Sequence, residues 1–369
     1  MAHYFSYKPT GTMLSCNLYD AWGIHVDGDS VVVRITAPGG KVVLNERYYA
    51  VNGSLLLYEI GSLLEASMRS ANLAYADFTF TLLDEDGETE DYCVVHTLYC
   101  DRFSVSTDTD VFLAENFLTT LGTRRVAPGS TTTLSYFAKA GEPTTATVSC
   151  LWRSTSEAET HAMTYEMPRP AMTADGIALL AVGQGDIVAM IAQEQGVEAS
   201  SIELLSFTAT VGQRSVTCYV DRSLRDDCSF QFRNCFNVWE VAAFPHITTA
   251  KSEVKRSTAV VNNESTFYDQ SASRTYEVQT GALTYDEAEW LDQLIASHEV
   301  RRPVPDDTDD SEPYVSRKVL ITDSTCEVSD GDEKPNSVKF TWRYADNRPN
   351  VRLTASKGIF TSPYNIVFS

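Results

Sequence analysis

Short runs of β-branched and aromatic residues, broken at close intervals by turn formers, dominate the hydrophobic pattern of this chain. Val31–Ala37, Val42–Val51, Phe78–Leu83 and Tyr92–Tyr99 are such runs, separated by Asp27-Gly28, Pro38-Gly39-Gly40, Asn52-Gly53 and Asp86-Gly87. Later strands are predicted at Ser229–Arg233, Val254–Val261, Arg274–Thr280, Arg317–Thr322 and Val338–Tyr344. Many short strands with Gly and Asp turns predict antiparallel, sandwich-like packing, not a doubly wound parallel sheet.

Few segments carry a helical signature. Ser62 with Glu65 three residues on reads as a capping box. Asp186 opens a second helix, with Ile187, Met190 and Ile191 on one face and Gly196 placed to stop it. Asp110 is expected to cap Val111–Leu121, whose stripe of Leu113, Phe117, Leu118 and Leu121 ends at Gly122 and would bridge two modules. The box Thr284-x-x-Glu287 opens a helix over 284–297 that turns Ala288, Leu291, Leu294 and Ile295 inward. Asp286 and Glu287 in its first turn complement the helix dipole.

The order of elements is written twice. Leu55, Leu56 and Leu57 run into Gly61-Ser62 and a helix at Leu63-Leu64; two strands then end at Tyr99-Cys100-Asp101-Arg102. Leu179-Leu180, Gly185-Asp186, Ile187-Val188 and two strands ending at Tyr219-Val220-Asp221-Arg222 repeat that order. Gly61 and Gly185 lie 124 residues apart and Tyr99 and Tyr219 lie 120 apart, a drift expected of one small loop deletion. Upstream, Leu18-Tyr19 before Val31-Val32-Val33 has a counterpart in Leu134-Ser135 before Ala146-Thr147-Val148. Tyr-x-Asp-Arg reads as a structural corner, with tyrosine in the core and an Asp–Arg pair fixing the exit of the chain. The expected fold is therefore mainly β (α+β). Two duplicated sandwich-like modules, each with one short helix, fill 1–108 and 109–224. A third β-rich domain with one helix fills 225–369.

Charge narrows the partners. Fifty acids against 29 bases give −21 over 369 residues, a surface that repels a phosphate backbone, so no nucleic-acid partner is expected. The imbalance is uneven. Lys334, Lys339, Arg343, Arg348, Arg352 and Lys357 face only Asp346 from residue 334 onward, leaving −26 for the rest. That basic end could dock on the acidic face of a neighbouring copy or neutralise acids within its own domain. Met1–Thr10 lacks a basic start followed by an apolar core, so no secretory signal is expected, and no 18-residue apolar run predicts a membrane span. The eight cysteines are then expected as reduced thiols.

Chemistry-bearing motifs are sparse. The six histidines lie more than ten residues apart, and no His-Glu-x-x-His or Cys-x-x-Cys occurs, so neither metal nor cofactor is expected. Gly183-x-Gly185 lacks the third glycine of a dinucleotide loop and puts Asp186 where a phosphate would sit. Asp84-Glu85-Asp86-Gly87-Glu88 has the flavour of a calcium loop without its terminal Glu and reads more simply as a hairpin turn. Asp306–Asp310 and Asp330–Glu333 are similar acidic loops. Trp22, Trp152 and Trp239 are either core anchors or, if exposed, stacking platforms.

Phe232-Arg233-Asn234-Cys235-Phe236-Asn237 with Glu240, Tyr276–Gly281, the helix opening at Leu283-Thr284 with Trp290-Leu291, and the upstream stretch Leu57–Glu65 carry a resemblance. Together they resemble structural proteins from the tail region of tailed bacteriophages and prophages of gut bacteria. The resemblance implies a non-enzymatic virion component such as a tail-tip, baseplate or ring protein, assembled in the host cytoplasm from copies of itself and neighbouring virion proteins. Duplicated β modules without a catalytic motif suit the same role. The alternative is a module recognising a surface glycan or protein through exposed aromatic side chains.

Overall fold

The computed structural model describes residues 2–18, 22–102, 108–141, 144–156, 159–169, 171–225, 229–305, 314–327 and 335–346. Among these the fold is a β-rich α+β architecture with four α-helices. The first module holds β1 (Tyr4–Tyr7), β2 (Thr12–Leu14), β3 (Trp22–His25), β4 (Ser30–Thr36), β5 (Val42–Tyr49), β6 (Ser54–Leu57), α1 (Ile60–Ala71), β7 (Tyr75–Leu83) and β8 (Thr89–Leu98). A five-stranded sheet of order β2-β8-β7-β4-β5 and a three-stranded sheet of order β1-β3-β6 enclose its core. Alternation decides what is buried: Val31, Val33 and Ile35 of β4 and Ala76, Phe78, Phe80 and Leu82 of β7 point inward, where Trp22 stacks on Phe80 with centroids 4.2 Å apart.

Helix α2 (Thr109–Glu115) leads into the second module. It comprises β9 (Thr123–Val126), β10 (Thr131–Ala138), β11 (Thr144–Ser154), β12 (Thr160–Arg169), β13 (Gly176–Gly183), α3 (Gln184–Gln195), β14 (Ile202–Val211) and β15 (Arg214–Val220). Its five-stranded sheet runs β12-β11-β14-β15-β9 and its small sheet β10-β13. Read from the other end, that is the strand order of the first module, including the parallel partner at one edge: β2 on β8 and β9 on β15. Cross-strand rows coincide as well. Ile35–Phe80–Cys93 in the first sheet is matched by Cys150–Phe207–Cys218 in the second, each row crossing the same three strands. The duplication is thus a duplication of the fold.

Two sequence landmarks are corrected by this register. Tyr99 lies just beyond β8, whereas Tyr219 lies inside β15 opposite Ser206, next to the Cys218 that matches Cys93. Tyr219 therefore corresponds to Val94, and the two Tyr-x-Asp-Arg stretches are not equivalent. The drift expected from the letters is also absent from the fold, whose offset is 124 at the helix starts and 125 at Cys93 and Cys218, because two loop changes cancel. The connection after the helix grows from 72–74 to 196–201, while the strand hairpin shrinks from 84–88 to 212–213. Leu18 lies outside β3 while Leu134 is inside β10, and Tyr19 lies outside the described residues.

Helix ends differ from expectation in three places. Helix α1 starts at Ile60 behind Glu59, which adopts a left-handed conformation and makes no side-chain cap; Ser62 Oγ instead donates to Glu59 O at 2.9 Å, so the box with Glu65 does not form. Gly61 is buried so closely on Ser15 O that a Cβ would sit 2.3 Å from it. Helix α3 begins two residues before Asp186, and Gln184 reaches the corresponding turn by side chain, donating to Ala127 O at 2.8 Å. In α2 the cap is Asp108, whose carboxylate accepts from Val111 N, and the helix ends at Glu115. Phe117, Leu118 and Leu121 are buried but not helical.

The third domain is one antiparallel seven-stranded sheet built from β16 (Phe230–Arg233), β17 (Trp239–Ala242), β18 (His246–Val261), β19 (Glu264–Thr280), β20 (Val300–Pro305), β21 (Tyr314–Glu327) and β22 (Ser337–Tyr344). Its order is β17-β16-β20-β21-β22-β19-β18. Helix α4 (Tyr285–Ala296) has the expected capping box and buries Ala288, Leu291 and Leu294 over the sheet.

Around the loop 234–238 the three units share one core. Leu14, Leu98 and Cys100, then Leu113 and Phe137, then Cys235, Phe236 and Val238 form a single cluster. Asn237 Nδ2 donates to Leu73 O at 2.9 Å, Asp101 N to Cys235 O at 3.2 Å and Asn234 Nδ2 to Leu118 O at 2.8 Å. Buried Glu240 accepts from Arg124 at 2.8 Å and from Thr119 at 2.6 Å. Much of the stretch that carries the family resemblance is this junction.

Candidate assembly surface

Strands β18 and β19 are far longer than the sheet they belong to. Among the described residues only Tyr276–Gln279 of β19 pair with β22, and beyond that step the two strands pair only with each other. From the Lys251–Thr275 rung to the Val261–Glu264 rung the hairpin projects roughly 34–37 Å at about 3.4 Å per residue. Asn262 and Asn263, both left-handed, close its tip. Nearly every side chain on this arm is exposed, including Phe267 (61%), Tyr268 (69%) and Val260 (71%). A two-stranded ribbon with no third strand and no covered face is marginal in water. Its apolar side chains gain burial only against another surface.

Register sorts the arm into two unlike faces. Ala250–Tyr276, Ser252–Arg274, Val254–Ala272, Arg256–Gln270, Thr258–Phe267 and Val260–Ser265 are cross-strand pairs on one side, continuous with the core through Tyr276, which stacks on Trp342 at 4.2 Å. Arg256 lies 5.1 Å from the Phe267 ring and donates to Gln270 at 3.1 Å; Arg274 lies 5.5 Å from the Tyr276 ring. No carboxylate stands on this side. The other side carries Lys251, Glu253, Lys255, Asp269 and, at the tip, Glu264 opposite Val261, among serines and threonines. There Lys255 pairs with Glu253 at 3.5 Å, and Lys251 with Glu277. The ammonium groups of Lys251 and Lys339 hold the Glu277 carboxyl down at about 2.

The basic residues singled out near the chain end are not a free patch as far as they are described. Lys339 neutralises Glu277 of its own sheet at 2.6 Å, and Arg343 stands on the same side of β22. Lys334, Arg348, Arg352 and Lys357 lie outside the described residues, as do Cys228, Asp306–Asp310 and Asp330–Glu333.

The corner residues form no internal Asp–Arg pair. Tyr99 is buried beneath α1, accepts from Arg69 at 2.7 Å and donates to Asp101 at 3.2 Å; burial pushes its hydroxyl up to about 12. Arg102 reaches across to Asp292 on α4 at 2.8 Å. Asp221 accepts from Ser223, and Arg222 pairs with Glu203 at 2.6 Å. Tyr219, half exposed, lines a cleft of about 700 Å³ with Leu121, Arg124, Arg125, Leu283 and Glu287, where Arg125 is already held bidentately by Glu287 at 2.7 and 2.8 Å. Gly185 stands in open space on α3, and Asp186 sits beside Gly183.

Asp84–Glu88 is the β7–β8 turn, with Asp84 accepting from Glu88 N at 2.8 Å. Among the described residues no three His, Cys, Asp or Glu side chains are placed to hold a metal ion. Trp22 and Trp152 are buried and serve as core anchors, while the partly buried Trp239 is clasped by Arg233 at 4.3 Å and Arg301 at 4.9 Å. The arm itself was missed in the sequence because its strands read like any others; the long stretch from 246 to 280 broken only by Asn262-Asn263 was the available signal.

Comparison with known proteins adds little. No protein-family model matches the chain, and no curated protein matches it. A crystal structure of the calcium-binding domain CBD12 of CALX1.1 aligns with 57% of this chain and 79% of its own at 12% identity and a TM-score of 0.16. A likeness that weak carries no argument. No helix among the described residues is long and apolar enough to cross a membrane.

Proposed function

We propose that this chain is a non-enzymatic structural subunit of a phage-like particle, at a tail tip, baseplate or ring, assembling with copies of itself and with neighbouring virion proteins. The observation that carries the reading is the uncovered hairpin arm, whose exposed aromatic and aliphatic side chains are in place for contact with another molecule. Two supports stand beside it. The duplicated modules are locked to the third domain by buried polar contacts, which makes a rigid body suited to bearing an arm. The stretch Phe232–Asn237 with Glu240, one of those on which the resemblance to tail proteins rests, lies at that lock. For the alternative, recognition of a surface glycan or protein, the burial of Trp22 and Trp152 leaves exposed tyrosines as the available platform.

The test is the protein content of purified particles made from the gene cluster that encodes this chain. Quantitative mass spectrometry is expected to find the chain in fixed, low-multiple stoichiometry with other virion proteins. Its absence from intact particles, with abundant free protein in the same lysate, would refute the reading.

A further inference from the structure

The arm is amphipathic in an uncommon sense. One side is polar and nearly charge-balanced; the other combines Val254, Val260, Phe267 and Tyr276 with two arginines and no acid. Burying that side against a purely apolar partner would strand two guanidinium groups, which is costly. Its partner must therefore offer carboxylates beside apolar surface. Charge on the chain itself points to a source. Residues 247–275 carry Lys251, Lys255, Arg256 and Arg274 against Glu253, Glu264 and Asp269, a net +1. The remainder of the chain then carries −22 of the total −21. The arm is the electrostatic complement of the body that bears it, and it points away from that body. At roughly 34–37 Å it is about as long as a 100-residue module is wide.

We propose that the side of the arm bearing Val254, Arg256, Phe267 and Arg274 seats on the acidic body of a second copy of this chain. The inference rests on the assembly reading above and specifies which surface makes the joint and what it meets. One ribbon about 10 Å wide covers roughly 350 Å² per partner, near 700 Å² in total, which is below the roughly 1,200 Å² of a stable specific interface. A single arm contact is accordingly weak. A closed assembly, in which each copy both gives and receives an arm, multiplies it. Cation-bearing contacts at an exposed surface are also screened, so the joint weakens with salt.

The experiment compares neighbours in sequence that stand on opposite sides of the ribbon. Sedimentation velocity and mass photometry on the full chain, over a micromolar concentration series at low and high salt, measure association of wild type, Arg256→Glu, Lys255→Glu and Phe267→Ser. Wild type is expected to form a discrete oligomer. Arg256→Glu and Phe267→Ser are expected to weaken it about tenfold or more, and Lys255→Glu, with a charge reversal of equal size, to change it less than about twofold. Unchanged circular dichroism and thermal midpoint establish that each variant is folded, as expected for exposed sites. A wild type that stays monomeric throughout overturns the proposal. So does an oligomer indifferent to Arg256→Glu and Phe267→Ser, or one weakened equally by Lys255→Glu. In the last two cases the chain can still be found in particles, so the inference fails while the assembly reading stands.

Discussion

Replacing Glu240 with alanine tests whether the three units stand or fall together. Glu240 is 3% exposed, and its carboxylate accepts from Arg124 Nη2 at 2.8 Å, Thr119 Oγ1 at 2.6 Å and Asn234 Nδ2 at 2.9 Å. Arg124 is itself 5% exposed, and its Nε already lacks a partner, so the guanidinium has no second anion to turn to. Truncation leaves a buried cation without its counter-charge, a loss of about 3–5 kcal/mol. With an unfolding entropy of about 2.1 cal/mol/K per residue, 369 residues unfolding together give about 0.8 kcal/mol/K. The thermal midpoint is then expected to drop by about 4–6 °C. Differential scanning calorimetry and urea titration followed by circular dichroism measure both quantities. The double change Arg124→Met with Glu240→Leu removes both charges and keeps volume, and is expected to recover most of the loss. A single-variant loss under about 1 kcal/mol, or a double variant as unstable as Glu240→Ala, refutes the view that this pair locks the junction.

Three further outcomes follow from the same structure. Gly61→Ala places a Cβ 2.3 Å from Ser15 O and is expected to cost at least about 2 kcal/mol, whereas Gly185→Ala, at the same helical position in open space, is expected to stabilise by about 0.5–1 kcal/mol; equal effects in urea melts would deny the difference in packing. Burial lowers the His246 imidazole below its usual value of 6.5, and burial with Arg69 and Arg233 nearby does the same for His298. The unfolded chain then binds protons at pH values where the folded chain does not. Stability is therefore full above about 6.5 and declines as pH falls below it, and His246→Gln should flatten that slope in denaturant midpoints measured from about pH 7.5 to 5.5. Desolvation raises the buried thiols, Cys93 to about 11, so in a Cys228→Ser background the native protein should react slowly with a thiol reagent, Cys326 first, and fully only once unfolded; rapid native reaction of several thiols would contradict the burial.

Signals that act within a few residues were legible. The Thr284–Glu287 box, the Gly196 stop and the strand runs of β4, β5, β7 and β8 lie where local chemistry puts them. The helix-start spacing between Gly61 and Gly185 exposed the duplication because both helices have the same length and follow equivalent strands. Tyr-x-Asp-Arg misled because its two occurrences stand at different places in a common register: the two loop changes are of equal size and opposite sense and cancel, so the strands keep an offset of 125 (Cys93 to Cys218) where the letters repeat at 120. Similar letters then fell on a buried Tyr99 and an exposed Tyr219. The apolar stripe after α2 misled for a related reason: Phe117, Leu118 and Leu121 are buried by three surrounding units, not by one helix face.

By itself, then, the sequence determined the strand-rich class, the repeated order of elements, the Thr284 capping box and the Gly196 stop, since each depends on backbone preference and periodicity over a handful of positions. Only the tertiary structure decided which aromatic residues are core and which are outward. It also decided that Asn234, Asn237 and Glu240 join three units, and that β18 and β19 outrun their sheet. Burial is a property of what lies across from a residue, and nothing in the sequence near Phe267 says that no neighbouring strand lies over it.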